Sequence, residues 1–246
     1  MPMETSPSKL RTLASTLRIE ADQLDDAAAT LESALGVVST RTNAGQIAES
    51  TIGITPAAPL PASGSQTSQI VFKIPWGKQA DAVHAEFIDG LLWIFDEIKL
   101  SPELLVPCMK FESNLDPKAR NPASSASGLI QFMSATATAL GTTIEKIRAM
   151  GPMEQLGFVH KYFKNIKKDW SGASLCDVYL AILYPKAIGL SPDAQVFVKG
   201  SSTYTVNAGL DTNKDGYVTK REICARLEKL SLEGLEDGNY KVVIHG

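Results

Sequence analysis

Two polar residues stand inside otherwise apolar stretches near the middle of this 246-residue chain. Glu112 closes the apolar segment 104–111, and Gln131 lies within the run 128–133, written GLIQFM. Desolvation raises the pKa of a carboxyl group, and a carboxyl that stays protonated near neutral pH can protonate the leaving oxygen of a glycosidic bond. The pair therefore suggests glycosidase chemistry. The alternatives are a solvated or ion-paired glutamate at a helix end and a core-edge glutamine bonded to backbone.

The elements around these two residues are predicted to be helices. Ser101, Pro102 and Glu103 form an N-terminal helix signal, so a helix should run from there to Glu112, with Pro107 kinking or restarting it. Apolar spacing predicts further helices at residues 83–100, 134–140, 142–150, 152–168 and 174–183. The fold class is therefore mainly α, with one helical domain over residues 70–246.

The chain before this domain divides into two segments. Residues 1–40 carry leucine or valine every seven residues, which predicts an amphipathic, coiled-coil-like helix. This helix would pack either on its own domain or on a partner, and residues 7–40 could then contact other proteins of a virion. Residues 41–69 are rich in Ser, Thr, Ala, Pro and Gly, which is typical of a flexible linker.

The sequence around Glu112 and Gln131 resembles a motif of soluble lytic transglycosylases and goose-type lysozymes. The family pattern has a Glu-Ser pair, a spaced proline and alanine, and a small-residue loop ending in Gly-Leu-Met-Gln. The matching positions here are Glu112, Ser113, Leu115, Pro117, Ala119 and the run 125–131. Ile130 replaces the usual methionine, Ser125 replaces a usual glycine, and one extra residue falls in the stretch 120–124. That stretch is where the loop should be wider than in the relatives.

The resemblance implies a lysozyme-like fold and a role for each matching residue. Glu112 would be the general acid and then the general base, with no catalytic cofactor. Gln131 would hydrogen-bond an N-acetylhexosamine of the glycan, and Ser127, in the same loop, would also contact substrate. Tyr184, in the stretch 179–187, matches the tyrosine that reaches the glutamate or the substrate in the family, although Pro185 replaces the asparagine that follows it. Tyr162 is a weaker candidate for the substrate groove, with core packing as its alternative.

The number of carboxylates bears on the reaction. Most glycosidases use a pair of them. Four other acids are available here, but none stands in a recognisable second motif: Asp116, Glu154, Asp169 and Asp177. With one acid, the resemblance implies a lytic transglycosylase, in which the substrate's N-acetyl group assists departure and the product is a 1,6-anhydro sugar. A hydrolytic lysozyme could use the same Glu112 with a positioned water.

A second motif lies near the end of the chain. Residues 211–222 read DTNKDGYVTKRE and fit the calcium loop of an EF-hand, in which hard oxygen ligands alternate and glycine permits a sharp turn. The ligand positions are Asp211, Asn213, Asp215, Tyr217 through its backbone carbonyl, and Glu222. A structural calcium ion is the prediction. The alternative is an unmetallated turn that caps the following helix.

Charge, apolar runs and cysteine spacing argue against several other classes of protein. The net charge of −3 gives no indication of nucleic-acid binding, and no apolar run is long enough for a transmembrane helix. No secretory signal is visible at the N-terminus. Three widely spaced cysteines, Cys108, Cys176 and Cys224, suggest buried free thiols rather than a disulfide framework or a metal site.

These observations favour an enzyme that cleaves the MurNAc-GlcNAc β-1,4 bond of peptidoglycan glycan strands. The leading helix and the missing signal suggest a phage enzyme, either carried in the virion or released as an endolysin to the host periplasm and cell wall. The alternative is a non-catalytic structural or wall-binding phage protein that retains the lysozyme scaffold.

Overall fold

The computed structural model describes residues 69–84, 86–122 and 124–246. The two N-terminal segments, predicted as a helix and a linker, lie outside the described residues. The described chain is mainly helical, as predicted. Its strands are β1 (Ile70–Ile74), β2 (Gln195–Val198), β3 (Tyr217–Thr219) and β4 (Lys241–His245). Its helices are α1 (Gly77–Val83), α2 (Phe87–Ile98), α3 (Pro102–Ser113), α4 (Ser134–Ala139), α5 (Ile144–Ala149), α6 (Pro152–Ile166), α7 (Leu175–Leu183), α8 (Ser202–Asn207) and α9 (Lys220–Gly234).

Helix α3 occupies the centre of the fold. The Ser101 hydroxyl accepts the Glu103 amide at 3.2 Å, and Pro102 takes the first turn, so the predicted N-terminal signal is confirmed. The helix continues through Pro107 to Ser113 rather than restarting, and it ends where Asn114 adopts a left-handed conformation with φ of 58°. Helices α7 and α9, together with β1, pack against it. Because most of its side chains are buried, α3 forms part of the core along nearly its whole length.

The beginning and the end of the described domain are joined by a two-stranded antiparallel sheet. Strand β1 pairs with β4, with Ile70 opposite His245 and Ile74 opposite Lys241. Phe72 and Ile74 point inward, and the Phe72 ring meets Phe95 of α2 at 5.0 Å. The two strands lie at opposite ends of the described domain, so their pairing depends on tertiary contacts, and the sequence pattern did not predict it. It ties the C-terminal segment to the helical domain.

The cysteine prediction was wrong for two of the three residues. Cys176, in the first turn of α7, forms a disulfide with Cys224 in α9, and their Cα atoms are 5.4 Å apart. This separation is typical of disulfide-bonded cysteines. Cys108 is buried and keeps its thiol, as expected. The error has a physical reason: 48 residues separate the bonded cysteines in the sequence, and only the packing of α9 on α7 brings them together.

Candidate active site

Glu112 lies in the last turn of α3 and is only 5% exposed. The side chains next to it in the sequence are also largely enclosed, with Ser113 2% exposed. The Ser113 hydroxyl lies 3.0 Å from the Met109 carbonyl of its own helix and 2.9 Å from the Leu129 carbonyl. The Glu-Ser pair therefore joins the end of α3 to the loop that carries Gln131.

This loop, residues 114–133, is folded on itself by backbone hydrogen bonds. Ser127 and Phe132 exchange two such bonds, at 3.0 and 2.8 Å, and the Gly128 amide donates to the Ala119 carbonyl at 2.9 Å. Near the tip, the Asn121 amide donates to the Ala126 carbonyl at 2.9 Å. The stretch 120–124, where an extra residue relative to the family pattern is predicted, overlaps the segment that this last bond closes.

Gln155 of α6 fastens the loop to the helical core. Its side chain is completely buried. Its Oε1 accepts the Leu129 amide at 2.9 Å, while its Nε2 donates to the carbonyls of Pro117 and Ile147 at 2.7 and 3.0 Å. Gly128 has φ of +79°, and a Cβ at that position would overlap the Gln155 amide. The sequence analysis missed this residue, although a glutamine on the same helix face as Val159 and Phe163 was a visible signal.

Ser127 belongs to the internal framework of the loop. It is completely buried, its hydroxyl donates to the Ser125 carbonyl at 2.9 Å, and it accepts from Arg148 Nε at 2.9 Å. Arg148 Nη2 also donates to the Ser125 carbonyl at 3.2 Å. This arrangement leaves Ser127 no surface for a sugar in the described conformation. The predicted substrate contact is therefore replaced by a role in holding the loop against α5.

Gln131 has a left-handed backbone, with φ of 54°, and is 7% exposed. Its Nε2 donates to the Gly128 carbonyl at 3.0 Å and lies 3.5 Å from the Ala119 carbonyl. These backbone carbonyls hold the amide, which is the bonding that the sequence analysis gave as the alternative to a sugar contact. Its contact with a sugar remains a prediction.

The two tyrosines predicted to contact substrate are both half-buried. The Tyr162 hydroxyl donates to the Ala181 carbonyl of α7 at 2.7 Å, so its phenol links α6 to α7. Tyr184 follows the last residue of α7, and its ring lies edge-on to Phe197 of β2 at 5.2 Å. A different tyrosine, Tyr179, lies beside α3: its buried ring is edge-on to that of Phe111 at 5.4 Å. The sequence analysis gave Tyr179 no role.

In the loop 211–222, a glycine stands at the sixth position, where the calcium-loop pattern has one. Lys214 and Gly216 both have positive φ values, of 60° and 89°. Asp211 accepts the amides of Asp215 and Gly216 at 3.2 and 3.0 Å, and Asp215 accepts the Tyr217 amide at 2.9 Å. The hydrogen bond from the Tyr204 hydroxyl, at 2.6 Å, lowers the pKa of Asp211 below its ordinary value.

Glu222, the last predicted ligand, is engaged on both oxygens. Oε1 accepts the Thr212 amide and hydroxyl, and Oε2 accepts those of Thr219, all at 2.8–2.9 Å. Burial alone would raise the pKa of Glu222, but these hydrogen bonds outweigh it and lower the pKa to about 2. The hard oxygens fit calcium chemically. However, the part of the chain that the structure describes contains no group of three acids, histidines or cysteines placed together as for a metal ion.

The part of the chain that contains Glu112 and Gln131 is similar to a known protein family. Residues 96–183 match the family model Transglycosylase SLT domain. The matched segment contains α3, the loop with Gln131, and α4 to α7. It supports assignment to the lytic transglycosylase and lysozyme-like family. No curated protein matches the chain, and no solved structure does.

The matched SLT segment leaves α9 and the loop 211–222 outside it. The C-terminal segment nevertheless packs directly on the SLT segment, through α9 against α3 and α7. Within the described residues no helix has the length and apolar character needed to cross a bilayer.

Proposed function

We propose that the protein is a peptidoglycan lytic transglycosylase in which Glu112 is the single catalytic carboxyl group. The SLT domain supports peptidoglycan as substrate and transglycosylase activity in general. The observation that carries the assignment of Glu112 is its burial at the end of α3, inside that domain and next to Ser113, whose hydroxyl bonds the loop that carries Gln131. Desolvation favours the protonated form of a carboxyl group, which is the form that can act as an acid.

In the proposed reaction, Glu112 donates its proton to the glycosidic oxygen between MurNAc and GlcNAc, and the C–O bond to the MurNAc anomeric carbon breaks. The N-acetyl oxygen of MurNAc stabilises the developing positive charge. The Glu112 carboxylate then takes the proton of the MurNAc 6-hydroxyl, whose oxygen bonds to the anomeric carbon. This closes the 1,6-anhydro ring and returns the proton to Glu112. Water in place of the 6-hydroxyl would give a lysozyme product.

The test is clearance of purified peptidoglycan by wild type and Glu112→Gln, with mass spectrometry of the released sugars. Glu145→Gln is the matched control, because Glu145 is an exposed glutamate of the same domain. We expect Glu112→Gln to lose activity by at least about a hundredfold, while the control keeps it and wild type releases anhydro ends. Equal clearance by all three proteins would refute the role of Glu112. If no protein clears the wall and all bind it, the non-catalytic wall-binding alternative is correct.

We further propose that the enzyme is a phage lysin, carried in the virion or released to the host wall. The support is the layout of the sequence: a heptad-patterned segment over residues 7–40 and a linker before the SLT domain. Removal of residues 1–40 should leave clearance of isolated walls intact and abolish incorporation into particles. Incorporation of the truncated protein at the full level would contradict the proposed role of that segment.

A structural calcium ion in the loop 211–222 is also a proposal. Its support is the donor set of Asp211, Asn213, Asp215, Glu222 and the Tyr217 carbonyl, together with the glycine turn. Calcium should raise the melting temperature of wild type but not that of Asp211→Ala. An unchanged wild-type melting temperature between EDTA and millimolar calcium would contradict it.

A further inference from the structure

The C-terminal segment lies outside the matched SLT segment and is joined to α7 by a disulfide bond and an ion pair. Cys176 and Asp177 are adjacent in the first turn of α7, and their partners Cys224 and Lys220 are one turn apart on α9. Residues four apart on a helix share one face, so the disulfide and the ion pair lie side by side. We call these four residues the α7–α9 junction.

The ion pair of this junction is short and enclosed. Lys220 is 6% exposed, and its Nζ lies 2.6 Å from Asp177 Oδ1 and 2.9 Å from the Leu190 carbonyl. Asp177 also accepts the Gly189 amide at 3.1 Å and the Ser174 hydroxyl at 2.8 Å. Burial alone would raise the pKa of Asp177, but the hydrogen bonds from Lys220, Gly189 and Ser174 outweigh it and leave the pKa below its ordinary value. Asp177 therefore keeps its charge, and its loss would leave the buried Lys220 ammonium group without this counter-ion.

Helix α7 extends from this junction to the proposed catalytic helix. Tyr179 lies three residues beyond Cys176, and its buried ring is edge-on to Phe111, the residue before Glu112. Helix α9 also packs on α3 directly. Helix α7 packs on α3, which carries Glu112 in its last turn. A displacement of the first turn of α7 would therefore shift its contact with α3, and interiors packed at crystal density transmit such shifts.

We propose that the α7–α9 junction is a redox-sensitive positioning element for Glu112, an inference that rests on the proposed function. The disulfide and the ion pair hold α7 at the position where Tyr179 packs on Phe111. On oxidation, the two thiols of Cys176 and Cys224 lose two protons and two electrons and form one S–S bond. An external disulfide accepts these two protons and two electrons and is reduced to two thiols. Disulfides persist in oxidising compartments and not in the bacterial cytosol. The enzyme therefore reaches full activity only after it leaves the reducing cytosol.

The experiment compares kcat and KM for soluble peptidoglycan fragments in wild type, Lys220→Met and the double variant Cys176→Ser/Cys224→Ser. Each is measured at a temperature where circular dichroism shows a native spectrum. Arg221→Met is the matched control, because its ion pair with Asp193 is adjacent on α9 but exposed, with side chains 63% and 79% accessible. We expect kcat to fall about ten- to a hundredfold in the two junction variants, with a smaller change in KM, and to stay at the wild-type value in the control.

A purely structural role would lower the folded fraction and leave kcat per folded molecule unchanged. A positioning role also shifts the pH profile of kcat, because the surroundings of Glu112 change. Asp177→Asn provides a milder second variant that keeps the side-chain shape if Lys220→Met does not fold, and it should lower kcat in the same direction. A kcat within about twofold of wild type in folded Asp177→Asn or in the folded double cysteine variant overturns the proposal.

Failure of this proposal and failure of the proposed function give different results. If oxidised wild type does not cleave peptidoglycan, the proposed function fails, and the inference that depends on it fails too. If oxidised wild type cleaves peptidoglycan and the same protein, reduced and refolded under a thiol reagent, cleaves it with the same kcat, only the redox-sensitive junction is refuted. Loss of kcat on reduction, recovered after treatment with oxidised glutathione, supports the inference.

Discussion

Replacing Gln155 with methionine tests whether the loop that carries Gln131 depends on a single buried amide. Methionine has nearly the same length as glutamine but forms none of its three hydrogen bonds. In the variant, the Leu129 amide and the Pro117 carbonyl lose the partner that Gln155 provides. The Ile147 carbonyl retains the Met150 amide at 3.2 Å. The main loss is therefore two backbone groups left without this partner, a buried amide at Leu129 and a partly buried carbonyl at Pro117.

The expected size follows from the cost of burying an unsatisfied polar group, about 1–3 kcal/mol each. Two groups give a loss of about 2–6 kcal/mol in the free energy of unfolding, a large fraction of the total for an ordinary domain. For a domain of this size the melting temperature should fall by about 10 °C. Peptidoglycan clearance should fall as well, because the loop that positions Gln131 loses its anchor on α6.

Urea unfolding of wild type, Gln155→Met and the control Gln195→Met measures the free-energy loss directly. Gln195 is exposed on β2, so the same substitution there should change stability by less than about 0.5 kcal/mol. If Gln155→Met loses less than about 1 kcal/mol, the hydrogen bonds of Gln155 do not hold the loop, and the argument from burial is refuted.

Two further substitutions test other parts of the fold. Gly128→Ala should lower the free energy of unfolding by about 2–4 kcal/mol, because a φ of +79° is strained for alanine and the added Cβ would overlap Gln155. The control Gly172→Ala has a φ of +71° but open space around it, so it should lower the free energy of unfolding by only about 1 kcal/mol. Equal losses in the two variants, measured by thermal or urea unfolding, would contradict the overlap. Glu222 has its pKa lowered from 4.5 to about 2 in the folded protein, so its contribution to stability is complete above pH 4.5 and is lost as the pH falls towards 2. Glu222→Gln should therefore be less stable than wild type by about 1–2 kcal/mol at pH 7, after allowance for solvent screening, and the difference should vanish near pH 2 in acid titrations followed by circular dichroism. A difference that does not change with pH would contradict the assigned hydrogen bonds.

Local signals in the sequence determined helix α3 and most of its neighbouring helices. The cap at Ser101, with the apolar segment after it, predicts α3, because a helix start depends on contacts within one turn. The hydrogen bond from the Ser113 hydroxyl to the Leu129 carbonyl joins the Glu-Ser pair to the Gly-Leu-Ile-Gln run, a contact within the motif that the sequence analysis singled out but did not itself predict.

Tertiary structure alone decided which face of each loop residue is covered. Ser127 and Gln131 are four positions apart in one motif, yet Arg148 of α5 encloses the first, whereas carbonyls of the loop itself hold the second. The disulfide between Cys176 and Cys224, the pairing of β1 with β4 and the role of Gln155 are decided in the same way. Each joins parts of the chain that are far apart in sequence, and no local pattern of side chains records which distant segment will pack beside another.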